Sequence, residues 1–174
     1  HGKGKYWFDE TGYLGKGDID QATEFIDSVL ETDNTSTVTD TAPITANKWH
    51  HIVVTYDSTT AKIYVNGSLL KTGTPGTGAI SNSANDLFIG TRSTSAQYFA
   101  GVINEVSVWD DDLTLAEIQE LFNDGVALNA TEHSAADDDL VAYWRNDGIS
   151  SWEDREGSND GTPSGSPVTA LLPE

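Results

Sequence analysis

The sequence predicts an all-β fold, an antiparallel two-sheet sandwich with one short helix. Short β-branched and aromatic runs recur with turn residues between them, and an Asn-Gly pair sits where a two-residue hairpin would close. Only one segment carries helical spacing. Residues 51–56 (HIVVTY) and 62–66 (KIYVN) read as strands joined by Asp57-Ser58-Thr59-Thr60. Asn66 and Gly67 then set a type I′ turn, whose central residues both take positive φ, and residues 68–72 (SLLKT) return. Residues 73–84, rich in Gly, Pro, Ser and Thr, form a loop. Residues 86–90 (DLFIG) and 102–109 (VINEVSVW) are further strands, the second alternating Asn104, Val106 and Val108 against Glu105, Ser107 and Trp109.

The helix is expected over residues 114–123. Thr114 and Glu117 have capping-box spacing, Leu113 can staple to Ile118, and Leu115, Ile118 and Phe122 recur on one side before Gly125 stops the run. Later, Leu140, Ala142 and Trp144 alternate with Val141, Tyr143 and Arg145, as in another strand, and Asn159-Asp160-Gly161 marks a turn.

Composition narrows the function. The 174 residues suit one domain spanning 1–174. The chain has 28 acidic residues against 9 basic ones, a net charge of −19. Scattered, outnumbered cations cannot line a nucleic-acid groove or seek an anionic membrane, so neither nucleic acid nor membrane insertion is expected. No apolar run reaches the roughly 18 residues of a membrane span. The absence of cysteine excludes disulfides and thiolate metal sites.

His50 and His51 invite a metal reading, but neighbours on a strand point to opposite faces and cannot grip one ion. His51 is read as a hydrogen-bonded histidine at a strand start, with Trp49 covering the sandwich end.

From "APITANKWHHIVVTYDSTTAKIYVNGSLLKTG" through "DLFIGTRSTSAQYFAGVINEVSVWDDDLTLAEIQELFNDG", residues 42–125 resemble the laminin G-like branch of the concanavalin A-like lectin/glucanase superfamily. The resemblance rests on the W-H-H-I-x-V-T-Y-D strand, the Y-V-N-G hairpin, the L-F-I-G strand, the F-x-G-x-I-x-E-V-x-V-W strand and the L-T-x-x-E-I-Q-x-L helix, in that order. It implies a jelly-roll sandwich. "LVAYWRNDG" followed by "GSNDGTPSG" resembles the segment that usually opens such a domain, so residues 140–165 are expected to add strands to the same sandwich. At the front, "YWFDETG" echoes "YWRNDG". Trailing A-Y-W-R segments of this kind resemble those of bacteriophage virion proteins, which implies an extracellular or virion-surface location.

Sandwich glucanases of the superfamily carry E-x-D-x-x-E, which places carboxylates on one strand face. Glu24 with Asp27, and Glu153 with Glu156, have the wrong parity, and no G-x-S-x-G elbow occurs. The chain is therefore expected not to be an enzyme.

The resemblance implies calcium at the sandwich rim as the one cofactor to consider. Candidate ligands are Asp110, Asp111 and Asp112, then Asp137, Asp138 and Asp139, with a further cluster at Glu153, Asp154 and Glu156 together with Asn159 and Asp160. Tyr98, Phe99 and Trp152 are the candidates for stacking on a sugar ring. The resulting expectation is a surface-displayed recognition or structural module contacting glycan or neighbouring protein subunits. A purely architectural capsid-decorating domain is the alternative, and a glycoside hydrolase with an unfamiliar carboxylate arrangement is the second.

Elemental analysis of protein purified without a histidine tag is expected to show no stoichiometric zinc or copper. One equivalent of either, lost in His51→Ala, would return the histidine pair to metal chemistry.

Overall fold

Strand β1 (Lys3–Asp9) occupies the middle of a six-stranded antiparallel sheet in the computed structural model, which describes residues 3–9, 44, 48–74, 77–79, 87–93, 96–99, 101–146 and 152–163. Its companions are β2 (His50–Tyr56), β3 (Ala61–Val65), β4 (Ser68–Gly73), β7 (Val102–Trp109) and β8 (Leu140–Trp144), in the order β4-β3-β2-β1-β7-β8. The strand β1 pairs with β2 on one side, Lys5 opposite Val53, and with β7 on the other, Lys5 opposite Ser107. A second sheet holds β5 (Thr91–Ser93) and β6 (Ala96–Tyr98).

The local turn chemistry acts where the sequence puts it. Asn66 and Gly67 take φ of 49° and 71°, so β3 and β4 close through the expected turn. Between β2 and β3, the Asp57 carboxylate accepts the N–H groups of Thr59 and Thr60 at 3.0 and 2.7 Å, and Ser58 turns to φ 74°. The strand expected at 86–90 starts later: residues 87–90 lie outside any strand, and pairing begins at Thr91. Gly90 at φ 77° turns the chain out of the extended region, and its carbonyl accepts the Phe99 N–H at 2.8 Å, which closes the β5–β6 hairpin.

Alternation divides the six-stranded sheet into two apolar faces. On one, Val53, Tyr64, Trp109, Leu140 and Tyr143 pack with Leu113, Ile118 and Leu121, so this face carries helix α1 (Leu115–Phe122). On the other, Ile52 and Ile63 gather Phe99 and Ile103, while Val106, Ala142 and Trp144 gather Ile89 and Trp152. Residues flanking the β5–β6 hairpin thus pack on the face opposite α1. The alternation expected for β8 breaks once. Register shifts between Val108 and Trp109, which puts Leu140 on the face of Tyr143 and leaves Val141 bulged and 45% exposed.

Helix α1 begins as its capping residues dictate. Thr114 N–H donates to Glu117 Oε2 at 2.6 Å, and Glu117 N–H donates to Thr114 Oγ1 at 3.4 Å. It ends earlier than Gly125, because Asn123 at φ 45° is the left-handed cap and Asp124 stays left-handed through a short 3-10 turn. A four-residue turn of helix, α2 (Ala136–Asp139), then delivers the chain to β8. No helix among the described residues is long and apolar enough to cross a membrane.

A Cβ at Gly67 would sit 3.0 Å from Phe122 Cδ1 at a backbone angle that β-branched residues resist. Gly67→Val is expected to cost about 2 kcal/mol or more of stability, since left-handed strain and overpacking add. Denaturant melts compared with wild type check this, and an unchanged midpoint would refute the turn's role.

Candidate functional site

The most concentrated polar chemistry lies where β7 meets β8. Lys5 and Trp7 of β1 pair with Ser107 and Asn104, so Glu105 and Val106 together span the place of one β1 residue. This bulge turns Glu105 to φ 55°, a left-handed conformation that a glycine would take more readily. The bulge aims the Glu105 carboxylate into the helix-side layer, where the residue is only 1% exposed. Three donors replace its lost water. The Tyr143 hydroxyl donates to Oε2, while Arg145 Nε and Asn104 Nδ2 reach Oε1 at 3.0 and 3.1 Å. Burial first, then the facing Glu105 carboxylate, hold the Tyr143 hydroxyl protonated far above the ordinary tyrosine range, which fixes it as the donor. Asn104 Oδ1 accepts the Asn146 N–H at 2.8 Å, so the same cluster grips the chain as it leaves β8. The Arg145 side chain, 46% exposed, extends from this anchor toward solvent.

A second hub is Asp154, 8% exposed. Its Oδ1 accepts the N–H groups of Tyr143, Gly157 and Glu156 at 2.9, 3.0 and 3.2 Å, and its Oδ2 accepts the N–H and side-chain amide of Asn159, both at 3.0 Å. Burial alone would raise this carboxyl. The donors of Gly157, Tyr143 and Asn159 outweigh it and bring Asp154 down to about 2 from 3.8. Positions that read as a calcium cluster therefore fold around a carboxylate whose oxygens face N–H donors.

The histidine pair sits against the Asn66 turn and helix α1. Asn66 Oδ1 accepts the His51 N–H at 3.0 Å, Asn66 N–H donates to the His51 carbonyl at 2.8 Å, and Asn66 Nδ2 lies 3.2 Å from His50 Nδ1. The His51 ring stacks on Phe122 with centroids 5.9 Å apart. Trp49 is half-buried just ahead of β2. His133, which the sequence singled out for nothing, is buried against Trp109. Its Nδ1 accepts the Ala135 N–H at 3.1 Å, so Nε2 carries the proton and donates to the Glu117 carbonyl at 3.1 Å. Nearby, the Ser134 hydroxyl and N–H bind the Glu120 carboxylate at 2.6 and 3.0 Å, and the hydroxyl bond foremost lowers that carboxyl.

The remaining candidates fall in three places. Asp110 N–H donates to the Asp139 carbonyl at 2.7 Å, which brings the triplets Asp110–112 and Asp137–139 side by side at the surface. Among the described residues no three of His, Asp or Glu are grouped so as to hold a metal ion. Phe99 and Trp152 are half-buried in apolar clusters on the face opposite α1, and the side chain of Tyr98 lies outside the described residues. Sequence reasoning missed Glu105 as a hub because it counted the residue only as one alternating strand position. The signal available was an acid on the same side as Trp109.

Comparison with known proteins agrees with this architecture. The family model described as the concanavalin A-like lectin/glucanases superfamily, laminin G type, matches residues 7–119. No curated protein matches the chain significantly. Among solved structures, a Bacteroides ovatus protein proposed to bind carbohydrate superposes with a TM-score of 0.55 at 18% identity. The alignment covers 92% of this chain and 51% of that one, so the chain spans about half the length of the solved protein.

The depressed Asp154 carboxyl makes stability acid-sensitive in a defined window. Its contribution is complete above the ordinary value of 3.8 and is lost as pH falls through about 2. Asp154→Asn is expected to melt lower at neutral pH and to lose less on acidification across this window than wild type. Parallel acid limbs in the two proteins would refute the assignment.

Proposed function

Because the chain belongs to the laminin G-like family of the concanavalin A-like lectin/glucanase superfamily, we propose that it is a non-catalytic glycan-recognition module displayed on the outside of a cell or virus particle. The observation that carries the non-catalytic part is the commitment of the buried acids. A glycosidase needs one carboxyl free to give a proton and a second free to attack or to activate water. The two acidic residues buried among the described residues, Glu105 and Asp154, have both oxygens filled by donors of this chain. They anchor strands and are unsuited to proton transfer with a ligand. Glycan as the ligand is supported by the superfamily and by the solved carbohydrate-binding candidate of the same fold. The surface location is supported by the resemblance of the trailing A-Y-W-R segment to phage virion domains.

Calcium at the rim and contact with neighbouring subunits remain compatible with this reading, and neither is needed for it. A glycan array carrying neutral and acidic sugars is expected to give binding to one sugar class, with no product released from the bound glycans on long incubation. Turnover of any of them would overturn the non-catalytic assignment. A blank array would transfer the proposal to the architectural alternative.

A further inference from the structure

The buried Glu105 carboxylate also fixes an exposed cation. Arg145 gives its Nε to Glu105 Oε1 at 3.0 Å while its side chain stays 46% exposed, so the far end of the guanidinium faces water. Among the described residues Arg145 forms no other ion pair. A guanidinium clamped at one edge holds its remaining N–H donors in a fixed plane, which suits it to reading a pair of oxygens. Its neighbours are polar and uncharged. Asn104 Nδ2 donates to the same Oε1 at 3.1 Å, Asn104 Oδ1 accepts the Asn146 N–H at 2.8 Å, and Asn146 Nδ2 lies 3.4 Å from the Ile103 carbonyl.

Two kinds of paired oxygen fit such a fork: the oxygens of an acidic group, and neighbouring hydroxyls of a sugar ring. Charge separates them. The positive charge of Arg145 is already balanced by Glu105, so the pair has no net charge with which to draw an anion. Residues 110–139, which build the layer over this face of the sheet, contain no lysine or arginine and carry acids at both ends and along α1. The other basic residues with described side chains are scattered. Lys62 and Lys71 stand on β3 and β4, at the far edge of the sheet from β8, Lys48 precedes β2, and Arg155 lies between Asp154 and Glu156. An acidic glycan would approach a chain of net charge −19 against its field, and a neutral glycan would not.

On the premise that the chain recognises glycan, we propose that its ligand is an uncharged glycan and that Arg145 is the donor that reads the sugar hydroxyls. Glu105 is then a positioning residue. Buried and fully bonded, it sets the plane of the guanidinium without touching the ligand.

The test is a glycan array that carries neutral glucan, mannan, xylan and galactan oligosaccharides beside polygalacturonate, alginate and sialylated glycans. Binding of the full chain is measured at low and high salt. Hits are expected among the neutral glycans, with an affinity that stays level as salt rises. Arg145→Lys keeps a cation for Glu105 but loses the planar fork. It is expected to weaken neutral-glycan binding about tenfold while circular dichroism and melting stay near wild type. Should that change unfold the chain, Glu105→Gln combined with Arg145→Gln removes both charges together, and the same loss of binding is expected. A preference for acidic glycans at either salt, neutral binding that collapses on adding salt, or a folded Arg145 variant that binds as wild type does would each overturn this proposal and leave glycan recognition standing. Binding to no glycan at all would remove the recognition module and its ligand class together.

Discussion

Holding a carboxylate where 1% of its residue meets water costs several kcal/mol unless donors replace the water it has lost. Glu105 meets that condition with Tyr143, Arg145 and Asn104, two of which come from β8 and the residue after it. Within β7 alone the charge would have one partner, Asn104. The C-terminal strand is therefore held by more than its ladder, because its departure would strand a buried charge, a loss of about 3–5 kcal/mol for such groups. The left-handed backbone of Glu105 belongs to the same arrangement. Its strain is tolerated because the bulge aims the carboxylate at donors that lie across the β7–β8 pair.

The two acids buried among the described residues divide one task. Glu105 fixes the end of β8 from the side of β7, and Asp154 fixes the opposite edge from the segment that follows. A strand as short as Leu140–Trp144 makes few ladder bonds, so charge-assisted bonds on both flanks do much of the anchoring. The apolar residues are shared in the same way, Leu140 and Tyr143 with the helix layer, Ala142 and Trp144 with the other face. This plan spends the carboxylates buried among the described residues on architecture.

What could be read from the sequence was whatever depends on neighbours in the chain. The Asn66-Gly67 turn, the Thr114–Glu117 cap and the alternation of β2 are local physics, and they appear at the residues that encode them. The alternation expected of β7 is instead interrupted by the bulge at Glu105 and Val106, which puts Ile103 on the face of Val106. The run at 86–90 misled because its apolar content resembles a strand while Gly90, a single residue with positive φ, decides where extension begins. The cap at Asn123 was likewise obscured by a nearby glycine, since asparagine also tolerates the left-handed region. The Glu105 hub left one trace in the sequence, an acid on the same side as Trp109, and the rest of it lies beyond local reading. Its partner Tyr143 lies 38 residues away, and the bulge that aims the carboxylate exists only once β1 pairs with β7. For Asp154 the Asn-Asp-Gly turn was visible, but the N–H groups that surround its carboxylate are brought there only by the folded segment.

The central place of β1 has a kinetic meaning. Its two neighbours are β2, which begins at His50, and β7, in which Trp109 lies opposite Lys3. Joining segments so distant in the chain means closing long loops before the new strand pairing can offset the lost freedom, and sheets built this way assemble slowly. On a ribosome β1 would emerge before any other strand described here and acquire its second neighbour only after β7 had followed. Until then its backbone edge stands open to other chains, the situation in which nascent sheets go astray. The β2–β3–β4 meander has no such wait, since each of its strands is paired by the next. Assembly therefore has a local beginning at the tight turns and a long-range finish at the centre of the sheet.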